Sequence, residues 1–194
     1  MGKRIILASA SPRRHELLKT ICEEFECIVS ECDESVFEGT TPTNAVMELS
    51  RRKAGAVAYK LDRNEESIVI GADTVVCLDG VILGKPANTE TAMSMLRRLS
   101  GKSHMVYTGV AIYLVKDDKI TLEDNFYVST EVIFNEMSEE EIEDYVRTGE
   151  PMDKAGAYGI QGAAARFIKS INGDYYNVVG FPVSAVYGSL KKIL

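Results

Sequence analysis

The chain has 194 residues, 45% hydrophobic and 26% charged, which is enough for one substantial core and unlike the composition of a disordered chain. Its 22 basic against 29 acidic residues leave a net charge of −7, which argues against a general binder of nucleic acid polymers, since such binding rests on basic surface. Apolar runs fall short of the roughly 18 residues of a membrane helix, and the stretch Ile5 to Ala8 is too short for a secretion signal.

No linker, repeat or low-complexity tract divides the chain, so one domain over residues 1–194 is expected, soluble and not exported. Met1-Gly2 opens like a myristoylation motif, but Ile6 stands where Ser or Thr is wanted. Cys22, Cys27, Cys32 and Cys77 form no C-x-x-C unit and have no His at metal-ligand spacing; free thiols are expected.

Arg4 to Ser9 reads as a buried strand ending in small residues. Ser11 then caps a helix with Pro12 in its favoured first position, and Leu17, Leu18 and Ile21 form its apolar stripe. A strand passing into a capped helix presents backbone N–H groups to an anion. Arg13 and Arg14 occupy the first turn, where the helix dipole disfavours cations by roughly 0.3–1 kcal/mol each. They do not serve helix stability there, and holding a polyanion is their better use; a solvated basic face is the alternative.

Phe25 to Ser30 reads as a second strand, followed by an acidic loop through Asp33, Glu34 and Glu38. Glu34 offers the hard oxygen that Mg²⁺ or Mn²⁺ takes, although an acid in such a loop is often only solvated. A helix from Thr43 to about Leu61 carries Val46, Leu49, Val57 and Leu61 at helical spacing. Lys53 falls on that stripe, where it either snorkels to solvent or serves a cleft.

Ser67 to Ala72 is a near-continuous apolar run, as expected for a strand covered on both faces, and Val75 to Leu78 continues extended. Asp73 is placed at the C-terminal end of this strand, where open α/β sheets put their ligand crevice. A charge there is costly unless paired or metal-bound, with a turn-capping Asp as the alternative. Asp79-Gly80 signals a hairpin, after which Lys85 in GKP would come back towards the same edge.

Asn88 to Ser100 reads as a helix stopped at Gly101. Gly101-Lys102-Ser103 copies the end of a P-loop, but Leu96 stands where the earlier Gly belongs, and the helix precedes the strand. Two strands, His104 to Val115 and Lys119 to Thr130, are joined around Asp117-Asp118. Ser138 and Glu141 form a capping box for a helix closed by Gly149. His15 and His104 show no partner spacing and are taken as structural or exposed.

Residues 153–182 are rich in Gly and Ala, and Gln161 lies in a Gly-bounded segment. Its amide offers donor and acceptor together, which reading a base edge requires; pinning its own loop is the alternative. Pro182 to Leu194 closes the chain as an amphipathic helix, with Val183, Val186, Tyr187, Leu190 and Ile193 facing inward. Interleaved strands and helices with hairpins predict an α/β fold around a mixed sheet.

LASASPRR, GADTVV with GKP, SGKSHMVYTGVAI, and DKAGAYGIQG with INGDYYNVVGFP follow one another in that order. Together they resemble the Maf family of nucleoside triphosphate pyrophosphatases, from Ile5 to about Val183. The resemblance implies a central mixed β-sheet flanked by helices, with two lobes around a deep nucleotide cleft. It implies a cytoplasmic, commonly homodimeric enzyme that splits a nucleoside triphosphate into monophosphate and pyrophosphate with a divalent cation (Mg²⁺ or Mn²⁺), without nucleic acid or membrane as partner.

Carried over by residue, the resemblance makes Asp73 the proton acceptor. Ser9, Arg13, Arg14, Glu34, Lys53 and Lys85 would line the phosphate and metal site, with Glu34 and Asp73 on the metal. Arg13, Thr74 and Gln161 match the branch that prefers dTTP and UTP, whereas a branch acting on 7-methyl-GTP carries Trp, Gln and Glu there. Phe181 stands where the family usually has Leu. Beside this reading the resemblance leaves two other functions open: a nucleotide-binding regulator of cell division and septum formation without essential catalysis, and a house-cleaning pyrophosphatase for ITP or XTP.

Overall fold

Residues 3–35, 37 and 39–194 are described in a computed structural model of the protein. The Met1-Gly2 start and Glu38 of the acidic loop lie outside the described residues. In chain order the elements are β1 (Arg4–Leu7), α1 (Pro12–Lys19), β2 (Glu26–Cys27), α2 (Pro42–Ala58), β3 (Ser67–Leu78), β4 (Val81–Leu83) and α3 (Thr89–Leu99). They continue with β5 (Ser103–Lys116), β6 (Lys119–Phe134), α4 (Glu139–Arg147), three short 3-10 turns, β7 (Ile168–Asn172), α5 (Tyr175–Val179) and α6 (Val183–Ile193).

The strands form one sheet in the order β2-β1-β3-β5-β6-β7, with β4 paired to β3. β1 runs parallel to β2 and β3, while the β3–β4 and β6–β7 pairs are antiparallel. The sheet is therefore mixed, as the interleaving of hairpins and helices leads one to expect. Asp79 and Gly80 both take positive φ (51° and 79°), as do Asp117 and Asp118 (51° and 62°). That is the backbone a two-residue hairpin turn needs to match strand twist.

By contact density the chain divides into two compact units. Unit one comprises Met1–Asp73, Thr108–Val128 and Gly180–Leu194; unit two comprises Thr74–Tyr107 and Ser129–Val179. In unit one, Ile6, Ala8, Ala54, Val57, Val69, Ala111 and Val115 are buried together between α2 and the sheet. Gly71 and Gly109 allow this close seating: a Cβ on Gly71 would stand 2.6 Å from Ala54 N, and one on Gly109 would run into the backbone of Val46. In unit two, Leu96 and Leu99 of α3 and Ile142 and Tyr145 of α4 pack with Val106, Val132 and Phe134.

Three expectations are corrected. The second strand shrinks to Glu26–Cys27, both exposed, because it is the sheet's outer strand and among the described residues pairs with β1 alone. Tyr187 does not face inward: it is 49% exposed, with Lys191 over its ring, and Ser189 is buried instead, donating to Asp124 at 2.7 Å. Asp73 does not end its strand, since β3 runs through it to Leu78. What ends before Asp73 is the parallel ladder with β1, at Leu7 opposite Ile70, while pairing with β4 begins at Val76. The carboxylate therefore lies just past the carboxyl end of the parallel ladder, where an α/β sheet leaves room for a ligand.

Candidate active site

Six of the expected site residues belong to unit one, and their anchoring starts at α1. Ser11 has extended backbone (φ −71°, ψ 117°) and its hydroxyl accepts from Arg14 N, capping the helix with Pro12 in its first turn. The buried Ser9 hydroxyl accepts from Ser11 N at 3.2 Å and from the Arg14 guanidinium at 3.4 Å. Arg14 Nε donates to the carbonyl of Gly180 at 2.9 Å. Arg14 is thus fixed by Ser9 and by the chain entering α6, and is no solvated basic face. Burial lowers its pKa, Asp73 and Glu34 act in the opposite direction, and Arg13 adds to the lowering. An arginine keeps its charge through such a change, so a buried cation is held beside Ser9 and Gly180.

Lys53 on α2 is 8% exposed, so its ammonium does not snorkel out to bulk solvent. Its ammonium donates to Asp73 Oδ1 at 2.6 Å and lies 3.2 Å from Glu34 Oε1. Asp73 is equally buried, and an unpaired carboxylate there would cost several kcal/mol, so the pair explains how the strand tolerates it. Glu34 keeps much of its side chain in solvent. One lysine therefore gathers two carboxylates whose positions are 19 and 20 residues away on either side.

Glu34 and Asp73 both lie against the Lys53 ammonium, at 3.2 and 2.6 Å, and their hard oxygen donors are of the kind a magnesium- or manganese-type cation takes when phosphate oxygens complete its shell. Among the described residues no three His, Cys, Asp or Glu side chains gather to form an all-protein cage.

The other three expected residues belong to unit two. Thr74 follows Asp73 in β3 and is half-buried. Lys85 is exposed just beyond β4, whose antiparallel register (Leu78 with Val81, Val76 with Leu83) returns the chain towards Thr74. Gln161 is exposed on a turn. The carbonyl of Gly84, next to Lys85, accepts from Gly156 N at 3.0 Å, tying the GKP segment to the loop that carries Gln161.

What pins that loop was not foreseen from the sequence. Glu150 accepts from Tyr145 OH at 2.9 Å and from Ala163 N at 2.9 Å, and Tyr145 OH accepts from Gly159 N at 3.3 Å. The pattern G-I-Q-G was the available signal: a Cβ on Gly162 would run into the Glu150 carboxylate, and one on Gly159 into the stem of Lys154.

His104 is structural: buried, with Nε2 2.7 Å from Tyr158 OH and its ring edge-on to Phe134. Burial pushes its pKa down to about 4. All four cysteines are free, and burial raises the thiols of Cys22, Cys27 and Cys77. No helix among the described residues is long and apolar enough to cross a membrane.

The chain is similar to known proteins along nearly its whole length. The family model described as Maf-like protein matches residues 4–193. A dTTP/UTP pyrophosphatase of Bacillus cereus (strain B4264) is 50% identical over 190 residues, covering 98% of this chain and 95% of that protein. Its counterpart in Bacillus anthracis is 51% identical over the same span and coverage. The Ham1 protein of Staphylococcus aureus shares the fold, with a TM-score of 0.52 at 16% identity, over 99% of this chain and all of that one.

Proposed function

The chain belongs to the Maf-like family, and on that premise we propose that it is a nucleotide pyrophosphatase hydrolysing dTTP and UTP to the monophosphate and pyrophosphate. The observation that carries the chemistry is the buried Asp73 held at 2.6 Å by Lys53, with Glu34 on the same ammonium at 3.2 Å. Arg13, Arg14 and Lys53 supply positive charge for the triphosphate, and Lys85 joins them in the same role.

A divalent cation held by Glu34 or Asp73 together with phosphate oxygens would add charge neutralisation and Lewis acidity at the α-phosphoryl group. Lys53 occupies Asp73 Oδ1, leaving Oδ2 to take a proton from water. That water's oxygen attacks the α-phosphorus, the bond to the bridging oxygen breaks, and pyrophosphate leaves with the electron pair. Ser9 and the Gly180 carbonyl keep the Arg14 guanidinium oriented, so its reorganisation is not left to the moment of reaction.

Gln161, with Arg13 and Thr74, sets base choice. The thymine or uracil edge presents acceptor, donor, acceptor, and an exposed amide can meet a carbonyl and an N–H together. We place the enzyme in the cytoplasm, with its nucleotide pool; the four free thiols suit a reducing compartment.

The test is pyrophosphate release by purified protein from dTTP, UTP, GTP and ITP, with magnesium and with EDTA. dTTP and UTP should lead, and EDTA should abolish turnover. Preference for ITP would favour the purine house-cleaning alternative, and tight nucleotide binding without release would favour a regulator.

A further inference from the structure

The loop bearing Gln161 is held from both sides by one pair of residues on α4 and the turn after it. Gly159, two residues before Gln161, donates its N–H to Tyr145 OH at 3.3 Å. Ala163, two residues after, donates its N–H to Glu150 Oε2 at 2.9 Å. The circuit closes where Tyr145 OH donates to Glu150 Oε1 at 2.9 Å. Between the anchors Gly162 N donates to Gly159 O at 3.2 Å, which folds the turn with Gln161 at its exposed apex.

The circuit is more than a loop tether in three respects. Tyr145 is fully buried and carries one partner on each side, so its hydroxyl cannot shift without loss at both. Burial, and then Glu150, raises the phenol's pKa, so it remains a donor at neutral pH. The backbone before the apex is fixed in an uncommon form: Gly156 and Ala157 take φ of 68° and 62°, and Lys154 Nζ bridges the Glu150 carbonyl and Asp153 at 2.7 Å each. A non-glycine residue in that region costs of order 1–3 kcal/mol and persists only where its surroundings impose it.

We propose that Glu150 and Tyr145 are positioning residues for base recognition, acting through Gln161. The inference rests on the assignment of Gln161 to the base. The circuit holds the backbone on either side of Gln161, so that its amide meets the pyrimidine edge without first ordering the loop. Such pre-ordering raises discrimination by cutting the cost of immobilising the recognising group.

The test uses purified Tyr145→Phe, Glu150→Gln, Gln161→Ala and the double variant Tyr145→Phe/Gln161→Ala beside the unaltered enzyme, each with magnesium on dTTP and dGTP. Tyr145→Phe keeps the buried ring and removes the hydroxyl. Glu150→Gln keeps the shape but has one acceptor oxygen for two donors, and being half-buried it serves if Tyr145→Phe does not fold. The dTTP-to-dGTP ratio of kcat/KM should fall about tenfold in both, mainly through KM for dTTP with kcat little changed.

In the Gln161→Ala background the added Tyr145→Phe should lower the ratio no further, as expected when one residue acts through the other. Amide exchange at Gly159 and Ala163 should quicken in both single variants. An equal loss on both substrates, or an unchanged ratio in these variants where Gln161→Ala has lost it, would overturn the positioning role alone. An unchanged ratio in Gln161→Ala would overturn it together with the assignment of Gln161 to the base.

Discussion

Asp73 and Lys53 lie twenty positions apart in the chain and meet at 2.6 Å. Asp73→Asn keeps the size of the side chain but removes its basicity, so turnover of dTTP should fall at least ~10²-fold, the lower bound for a lost general base. Steady-state kinetics beside a melting curve check it: a stable variant with unaltered turnover removes Asp73 from the mechanism.

His104 makes a separate prediction. Its pKa is depressed from 6.5 to about 4 by burial, so it is neutral in the fold and charges more readily once unfolded. Its contribution to stability is present above 6.5 and is lost as pH falls towards 4. At about 1.4 kcal/mol per pH unit, the ceiling is about 3 kcal/mol. Urea midpoints of His104→Gln should therefore drop less between pH 6.5 and 4.5 than those of the unaltered protein; parallel curves would contradict the assignment.

Among single residues, the legible ones had an unfavourable place that demanded an explanation: two arginines at a helix N-terminus, a lysine on an apolar stripe, a carboxylate in a buried strand. Glu150 was not legible, because an acid just past an acidic helix is unremarkable until its two donors, the Ala163 amide and the Tyr145 phenol, are seen.

Helix α2 carries Lys53, and the positions of its Ser50 and Ala54 are set by Gly71 on β3. A Cβ at position 71 would stand 2.5 Å from Ser50 O and 2.6 Å from Ala54 N, all backbone atoms that cannot turn aside. Gly71→Ala should therefore destabilise the fold by about 1–3 kcal/mol and move Lys53 off Asp73, lowering turnover as well. Gly188, on α6, has nothing within 4 Å of its Cβ position. Gly188→Ala there should raise stability by about 0.5–1 kcal/mol with turnover intact. Thermal melts of the pair test both signs at once; a stable, active Gly71→Ala would refute the seating of α2.

The well-marked elements were those with local punctuation. The Ser11 and Ser138 caps, the Asp79-Gly80 and Asp117-Asp118 turns, and the apolar run of β3 all appear where their chemistry places them. β2 was overestimated because an outer strand's length depends on its single neighbour. β7 and α5 went unseen in residues 153–182, where abundant Gly and Ala blur any period. Helical spacing alone also put Tyr187 inside, although a residue at the margin of the apolar stripe can turn its ring outward beneath Lys191.

At the scale of the molecule, the sheet runs through both units, and β3 passes from unit one to unit two between Asp73 and Thr74. Of the candidate site residues, unit one holds Ser9, Arg13, Arg14, Glu34, Lys53 and Asp73, and unit two holds Thr74, Lys85 and Gln161. The mixed α/β character was legible from the order of elements; the partition was not, because it depends on long-range contacts that no local pattern records. The central claim is that water, deprotonated by Asp73, attacks the α-phosphorus. Hydrolysis of dTTP in water enriched in the heavy oxygen isotope, followed by mass spectrometry of both products, tests it most directly. The account predicts one labelled oxygen in dTMP and none in pyrophosphate. Label in pyrophosphate would place the attack on the β-phosphorus, and release of dTDP with labelled orthophosphate would place it on the γ-phosphorus; either result contradicts the account.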